Sequence, residues 1–453
     1  MTAKNNSKAI IVSMSAHGER IVSAAGRIST GKGTATEILS KSFDTIKNAK
    51  LIEKVNASGH NSTLEHTFYN IAFEDVSVFA EQFIIEFRLA SFTVKSRRYV
   101  DFTGAGYYVP EMDDEARFIY TNLMDKCYGV YEEFCDAGIP KEDARFLLPY
   151  CLHSNILCSL NARELLRMIR AMLYGRGKDF PELKNLGQSL LEQIKGLTPG
   201  IAASFTVPKN EITDSPTFSY QRTETNSTSP VILINGTKDA EKIIARTALL
   251  YDGYSDGDCD AILSDTNNTN EIIHSIMKSD RPRALENASY TFKISGVSLS
   301  TITHFTRHRM QSLLVPMLTT TDRTKYIIPS SIKENPELLE KYIDVFKACK
   351  DTYDELKNRG IDENTLVYVL LSGNTLDIVS TMNARELLLF FRLRTCNRAQ
   401  WEVRYFAEEM LKLCRKENPV LFSYYGPSCC IDGCPEGRMS CGRQSEMIKK
   451  YRN

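Results

Sequence analysis

The chain contains a second copy of itself. Asn161-Ala162-Arg163-Glu164-Leu165-Leu166 returns as Asn383-Ala384-Arg385-Glu386-Leu387-Leu388, 222 residues later. Leu64-Glu65 returns as Leu285-Glu286 after 221 residues, and Tyr107-Tyr108-Val109-Pro110 loosely as Tyr326-Ile327-Ile328-Pro329 after 219. Anchors in one order at a nearly constant offset mark a duplicated domain, because the period lies far above the roughly 20–50 residues of solenoid repeats. With 453 residues, each copy has room for its own hydrophobic core. The expected division is a first repeat over 1–210, a linker over 211–235, a second repeat over 236–430 and a Cys-containing tail over 431–453. Ser, Thr and Pro dominate from Asp214 to Pro230 without an apolar period, which predicts the linker there.

Local patterns predict α+β copies: a mixed sheet with long packing helices. Thr67–Phe73 and Tyr290–Ile294 alternate apolar and polar residues as half-buried strands do. Val76–Phe87 and Val297–Thr306 then look helical. The longest predicted helix starts at Asn383 and runs without Gly or Pro to about Arg415, short of Pro419. Its counterpart in the first repeat is interrupted by Gly175-Arg176-Gly177.

Charge narrows the function classes. Lys plus Arg and Asp plus Glu are 56 each, so no bulk electrostatic grip on a nucleic acid polymer is indicated. No apolar run approaches 18 residues, so no membrane span is expected. The apolar run Ala9–Val12 is too brief for a signal peptide. Twelve cysteines scattered among helical segments suit a reducing cytoplasm.

Several clusters could carry chemistry. Arg307, His308 and Arg309 are adjacent, so they cannot all face one way on a helix. Such a triplet can splay around a phosphate or an aromatic ring, or simply form a solvated helix end. Ser96-Arg97-Arg98 offers a hydroxyl and two guanidinium groups in one turn, a phosphate cradle or an exposed basic loop. Arg392 and Arg394 sit in an apolar helical stretch and point about 200° apart, so one of them needs a buried partner. His60, Glu65 and His66 lack metal-helix spacing. Gly26 to Thr34 approaches a P-loop, but Gly33 stands where magnesium needs a hydroxyl. Cys429, Cys430, Cys434 and Cys441 depart from paired zinc spacing, and reduced thiols are the expectation.

Together these residues resemble one family, the flavin-dependent thymidylate synthases. Its Arg-His-Arg motif is followed by seven residues and then Ser, with Arg two positions after the Ser. The first repeat keeps Arg88, Ser96 and Arg98 of that pattern, and the second keeps Arg307, His308 and Arg309. Asn383 to Arg394 with Ala399-Gln400-Trp401-Glu402 resembles the family's carboxy-terminal helix, and Gly59-His60 to Glu65-His66 an early segment with Thr63 in a Pro position. The resemblance implies FAD as cofactor, NADPH and methylenetetrahydrofolate as co-substrates, and dUMP converted to dTMP. It also implies a homotetramer whose sites are shared between subunits.

Carried over by position, the resemblance gives Ser96, Arg97, Arg98 and Arg145 to the nucleotide, with His304 on the same side in place of a Gln. It gives Arg307, His308, Arg309, Asn383, Arg385 and Ser62 to FAD. Arg394 would stabilise a uracil deprotonated at N3, with His60 near the flavin and folate face; no metal and no cysteine nucleophile is implied. The reciprocal positions are lost. Glu86-Phe87 replaces Arg-His and Met172 the helix Arg in the first repeat. Met317, Thr319 and Val367 replace Ser, Arg and Arg in the second. This sorting predicts one composite site per chain, built from both repeats, and a homodimer imitating the tetramer. Other departures are Val94, Thr93, Arg281 and Arg283. They leave open a paralogue that is non-catalytic or takes another nucleotide.

Overall fold

The strand Phe68–Ser77 shows how each repeat is built. In the computed structural model, which describes residues 6–210, 212, 218 and 229–452, Tyr69, Ile71 and Phe73 on one face of this strand are fully buried. The alternation then breaks. Asp75 adopts φ 49°, the pairing register shifts between Phe73 and Val76, and Val76 is buried next. The second repeat makes the same bulge at Gly296, with φ 69° and a shift between Ile294 and Val297. Asp tolerates the left-handed region and Gly enters it without steric cost, so two different residues serve one bend.

Each repeat forms a four-stranded sheet. β1 (Lys8–Met14), β2 (Phe68–Ser77), β3 (Ser91–Val94) and β4 (His153–Asn161) lie in the order β1-β2-β4-β3. β5 (Val231–Gly236), β6 (Ser289–Ser298), β7 (Gln311–Leu314) and β8 (Thr375–Asn383) repeat that order. All six pairings are antiparallel, so the expected mixed sheet is corrected to an antiparallel one in an α+β fold. Most of the predicted linker lies outside the described residues. Its end, 231–235, belongs instead to β5, whose Val231 is buried against the sheet.

The predicted helices after β2 and β6 start later than expected, at Val78 and Leu299, because the strands continue through the bulge. The expected Asn383–Arg415 helix is two helices, Ala384–Arg394 and Trp401–Glu417. Neither Gly nor Pro breaks it. The Thr395 hydroxyl donates to the Phe391 carbonyl at 2.5 Å, and the Gln400 side chain accepts from Val403 N at 2.9 Å and so caps a new helix. The first repeat breaks at the same place, between Ala162–Leu173 and Pro181–Leu197. The copies therefore diverge less here than their sequences suggest.

The described chain divides into two compact units that do not follow the repeat boundary. One comprises 1–222 with 328–374, the other 223–327 with 375–453. Within the first unit, the helix Pro336–Asn358 of the second repeat packs on its own counterpart, Asp114–Asp136. Equivalent residues meet there. Cys127 Sγ lies 3.8 Å from Cys349 Sγ, and Pro149 bridges Leu371, both pairs 222 apart. Tyr150 N donates to Leu370 O at 2.8 Å and Ser372 N to Leu148 O at 2.9 Å, the signature of a local pseudo-two-fold.

Candidate active site

In the second unit, the end of β6 is locked before the site begins. Ser298 caps the helix Leu299–Phe305, and the buried Glu402 carboxylate accepts from Ser298 N at 2.7 Å and Thr301 Oγ1 at 2.7 Å. The chain leaves that helix as a turn in which neighbouring side chains alternate. His308 is 2% exposed, while Arg307 and Arg309 are exposed. His304 is buried one turn earlier in the same helix.

The helix Ala384–Arg394 runs past His308. Asn383 caps it, accepting from Glu386 N at 2.8 Å. Glu386, Phe390 and Arg394 follow at four-residue spacing and so share one face. All three touch the imidazole. Glu386 Oε1 lies 3.0 Å from His308 Nδ1, Arg394 Nε donates to His308 Nε2 at 3.0 Å, and the Phe390 ring meets it edge-on at 4.9 Å. Guanidinium only donates, so Nε2 accepts and the imidazole proton sits on Nδ1. Burial, followed by the Arg394 and Arg307 charges, depresses the pKa of His308 against the pull of Glu386. The ring is neutral.

Arg392 turns elsewhere and pairs with Asp432 at 2.5 Å, which settles how two arginines share this apolar stretch. Arg385 pairs with Glu286, as Arg163 pairs with Glu65 at 2.5 Å in the first repeat. That brace exists in both copies, whatever else each has lost.

In the first unit, Ser96, Arg98 and Arg145 come together. Ser96 Oγ accepts from Arg98 N at 3.3 Å. Arg98 Nε bonds the Glu142 carboxylate, and Arg145 Nε donates to the Glu142 carbonyl at 3.1 Å. Arg97 requires a correction as a nucleotide contact. It is 6% exposed and its guanidinium meets Glu81 at 2.8 Å, with Ser154 on the same carboxylate oxygen. Burial opposes the Arg97 charge, yet Glu81 raises its pKa, so it anchors the loop from inside. His60 and Ser62 are exposed at the 3-10 turn Asn61–His66, where Thr63 Oγ1 donates to His60 O at 3.2 Å.

The first repeat's version of the histidine site is apolar. Phe87 takes the place of His308 and Met172 that of Arg394, both buried. Glu164, the counterpart of Glu386, remains 2% exposed, and its Oε1 has no hydrogen-bond partner among the described residues. Its Oε2 reaches only Arg167, at 3.5 Å. Arg176 from the helix break lies over the rings of Phe83 at 4.5 Å and Phe87 at 5.8 Å and pairs with Glu86. At the corresponding break, Arg398 instead donates to the Met439 carbonyl at 2.8 Å.

Remaining motifs place simply. Gly26–Ile28 lies inside the helix Gly18–Ile28, so the approach to a P-loop is not a strand–loop–helix. The tail folds back through Arg452, which donates to the Cys430 carbonyl at 2.9 Å, and ends in the helix Gln444–Arg452. Among the described residues no group of three or more His, Cys, Asp or Glu is placed to hold a metal, and no helix is long and apolar enough to cross a membrane. Sequence reasoning missed Glu386, Glu142 and Glu81. The signal for Glu386 lay in the repeated Asn-Ala-Arg-Glu, where the Glu looks like part of a helix start.

Comparison with known proteins bears on both halves of the chain. The family described as thymidylate synthase complementing protein matches residues 10–200 and again 232–420. A flavin-dependent thymidylate synthase of Clostridium tetani is 33% identical over 241 residues, 49% of this chain and 96% of that protein. One from Geobacter sulfurreducens is 33% identical over 227 residues, 49% of this chain and 97% of that protein. Among solved structures, a UMP/dUMP methylase from Streptomyces cacaoi bound with 5-Br dUMP aligns at TM-score 0.39 and 21% identity, covering 45% of this chain and 96% of that one.

Proposed function

The chain belongs to the thymidylate synthase complementing protein family, and on that premise we propose that it converts dUMP to dTMP by flavin-dependent reductive methylation. The reaction uses FAD, NADPH and methylenetetrahydrofolate, at one composite site per chain. The first repeat supplies the nucleotide half and the second the flavin half. One observation carries the reading. Glu386, His308 and Arg394 form an unbroken hydrogen-bonded chain in the second repeat, while Glu164, Phe87 and Met172 leave an apolar, plugged copy in the first.

Ser96, Arg98 and Arg145 hold the nucleotide phosphate, two guanidinium groups and a hydroxyl matching its three acceptor oxygens. Arg307 and Arg309, exposed on either side of buried His308, give two permanent cations suited to the FAD diphosphate. Asn383 and Arg385 complete that half; from the first repeat Ser62 also serves the flavin, with His60 toward the folate. Arg97 acts through the loop it anchors. When bound, the flavin supplies the reducing electrons drawn from NADPH, and the folate supplies the carbon. Arg394 stabilises the negative charge left when uracil loses its N3 proton. The active assembly is a homodimer standing in for four single domains.

A second reading is binding without turnover, or with another nucleotide. The Glu142 carboxylate on Arg98 favours it, because it neutralises charge where a phosphate would sit. The test is an absorbance spectrum of the purified chain, with flavin stoichiometry, a dUMP titration and an assay of dTMP. About one FAD per chain, a dUMP-dependent spectral change and dTMP formation support the first reading. Flavin and dUMP binding without dTMP supports the second. Two FAD per chain rejects the single composite site.

A further inference from the structure

We infer that Glu386 is a positioning residue for Arg394, acting through the proton it fixes on His308. The inference rests on the proposed function for the role of Arg394, but its structural core does not. A neutral imidazole has two tautomers, and only the Nδ1–H form leaves a lone pair on Nε2 for Arg394 to use. Nothing in the ring itself selects that form. The Glu386 carboxylate does, since it accepts hydrogen bonds and donates none when ionised. It is 7% exposed and its backbone N–H is bound by Asn383, so carboxylate and ring face each other with little freedom. The chosen tautomer then takes the Nε hydrogen of Arg394 and fixes the plane of its planar fork. Phe390 closes one edge of the ring against rotation.

The first repeat provides the matching control. Glu164 occupies the same helical position and is also buried, yet Phe87 offers it no N–H and Met172 offers nothing to orient. A role in starting the helix would be common to both copies. A role in positioning Arg394 belongs to Glu386 alone.

The experiment uses the full chain, 15N-labelled at histidine, with His308 assigned by loss of its signals in H308Q. Long-range 1H–15N spectra at neutral pH report which ring nitrogen carries the proton. The expected result is an Nδ1–H His308 in wild type and in E386Q, whose amide oxygen still accepts. E386A should show a mixture of tautomers. In turnover, E386A should lower kcat by about tenfold or more, the scale of one lost orienting hydrogen bond, with a smaller change in KM for dUMP. E386Q should recover most of that loss, and E164A should leave turnover unchanged. An Nε2–H His308 in wild type overturns the inference even if every variant misfolds. So does E386A with wild-type tautomer and kcat. If wild type shows the Nδ1–H form and E386A the mixture but no chain makes dTMP, the hydrogen-bonded arrangement stands and the proposed function fails.

Discussion

The helices capped by Asn161 and Asn383 share Asn-Ala-Arg-Glu, the same cap and the same salt bridge to a Glu just ahead of β2 or β6. They differ in what faces the Glu. In the second repeat a polar chain of three residues runs from Glu386 to Arg394. In the first, two substitutions to apolar side chains leave Glu164 stranded, and Arg176 stacks on the ring that replaced the histidine. Fold and polar network thus come apart: capping and bracing are present in both copies, while the hydrogen-bond chain is present only in the second. The contrast also shows what lies at the matching position of each repeat. Arg176 lies over Phe83 and Phe87, whereas Arg398 at the matching break is held by the tail.

The largest expected difference is catalytic. Arg394→Ala should reduce kcat for dTMP formation by roughly 10²–10³, the scale of a lost preorganised donor. Met172→Ala should leave kcat unchanged; a loss of equal size there would mean that the first repeat's copy is not idle.

Next comes stability. Glu386→Leu leaves a buried Nδ1–H without its acceptor and should destabilise by about 1–3 kcal/mol. Glu164→Leu removes a carboxylate oxygen that is already unsatisfied and should be neutral or stabilising. Denaturant midpoints of the two variants would settle the order. Equal losses would show that both carboxylates serve only the helix start.

Acid should weaken the second repeat's arrangement. The folded-state pKa of His308 is depressed, so the unfolded chain binds the proton more readily. Stability should be fully present above the ordinary imidazole pKa of about 6.5 and decline as pH falls toward the lower folded value. The slope from one such group is at most about 1.4 kcal/mol per pH unit. His153 is depressed by burial in the same sense, so the relevant quantity is the difference between wild type and H308Q. No difference between their pH profiles would contradict a neutral His308. The smallest effect concerns the plug. Arg176→Ala should destabilise by about 0.5–2 kcal/mol through lost stacking on Phe83 and Phe87. Arg398→Ala should cost less, and thermal melts of the two would rank them.

Much of this was legible in the chain. The 222-residue offset gave two copies, alternation gave the strands at Phe68 and Ser289, and the Arg-His-Arg triplet pointed to the turn in which His308 meets Glu386 and Arg394. Other features left no local trace. The break at 395–400 comes from the Thr395 hydroxyl and the Gln400 cap, neither of which breaks helices by propensity. Arg97 looked like its neighbour Arg98, and only the buried Glu81 on a distant helix separates their roles. Glu386 was hidden by its own position, since a Glu three residues after a capping Asn has an ordinary explanation. The placement of 328–374 in the first unit was beyond reach for a different reason. Repeats identical in pattern do not say which copy a segment packs against.

That placement sets a timetable for synthesis. The helix Asp114–Asp136 meets its packing partner, the helix Pro336–Asn358, through Cys127, which lies 3.8 Å from Cys349, and through Phe134, whose ring stacks on Tyr342 at 6.4 Å. On the ribosome, at roughly 5–20 residues per second, the stretch from 222 to 374 takes on the order of ten to thirty seconds. Throughout that interval residues 1–222 are finished while the first unit still lacks 328–374 and with it the helix Pro336–Asn358. An apolar face left bare that long is a surface for chaperones, and the same wait is the moment at which two nascent chains could trade helices.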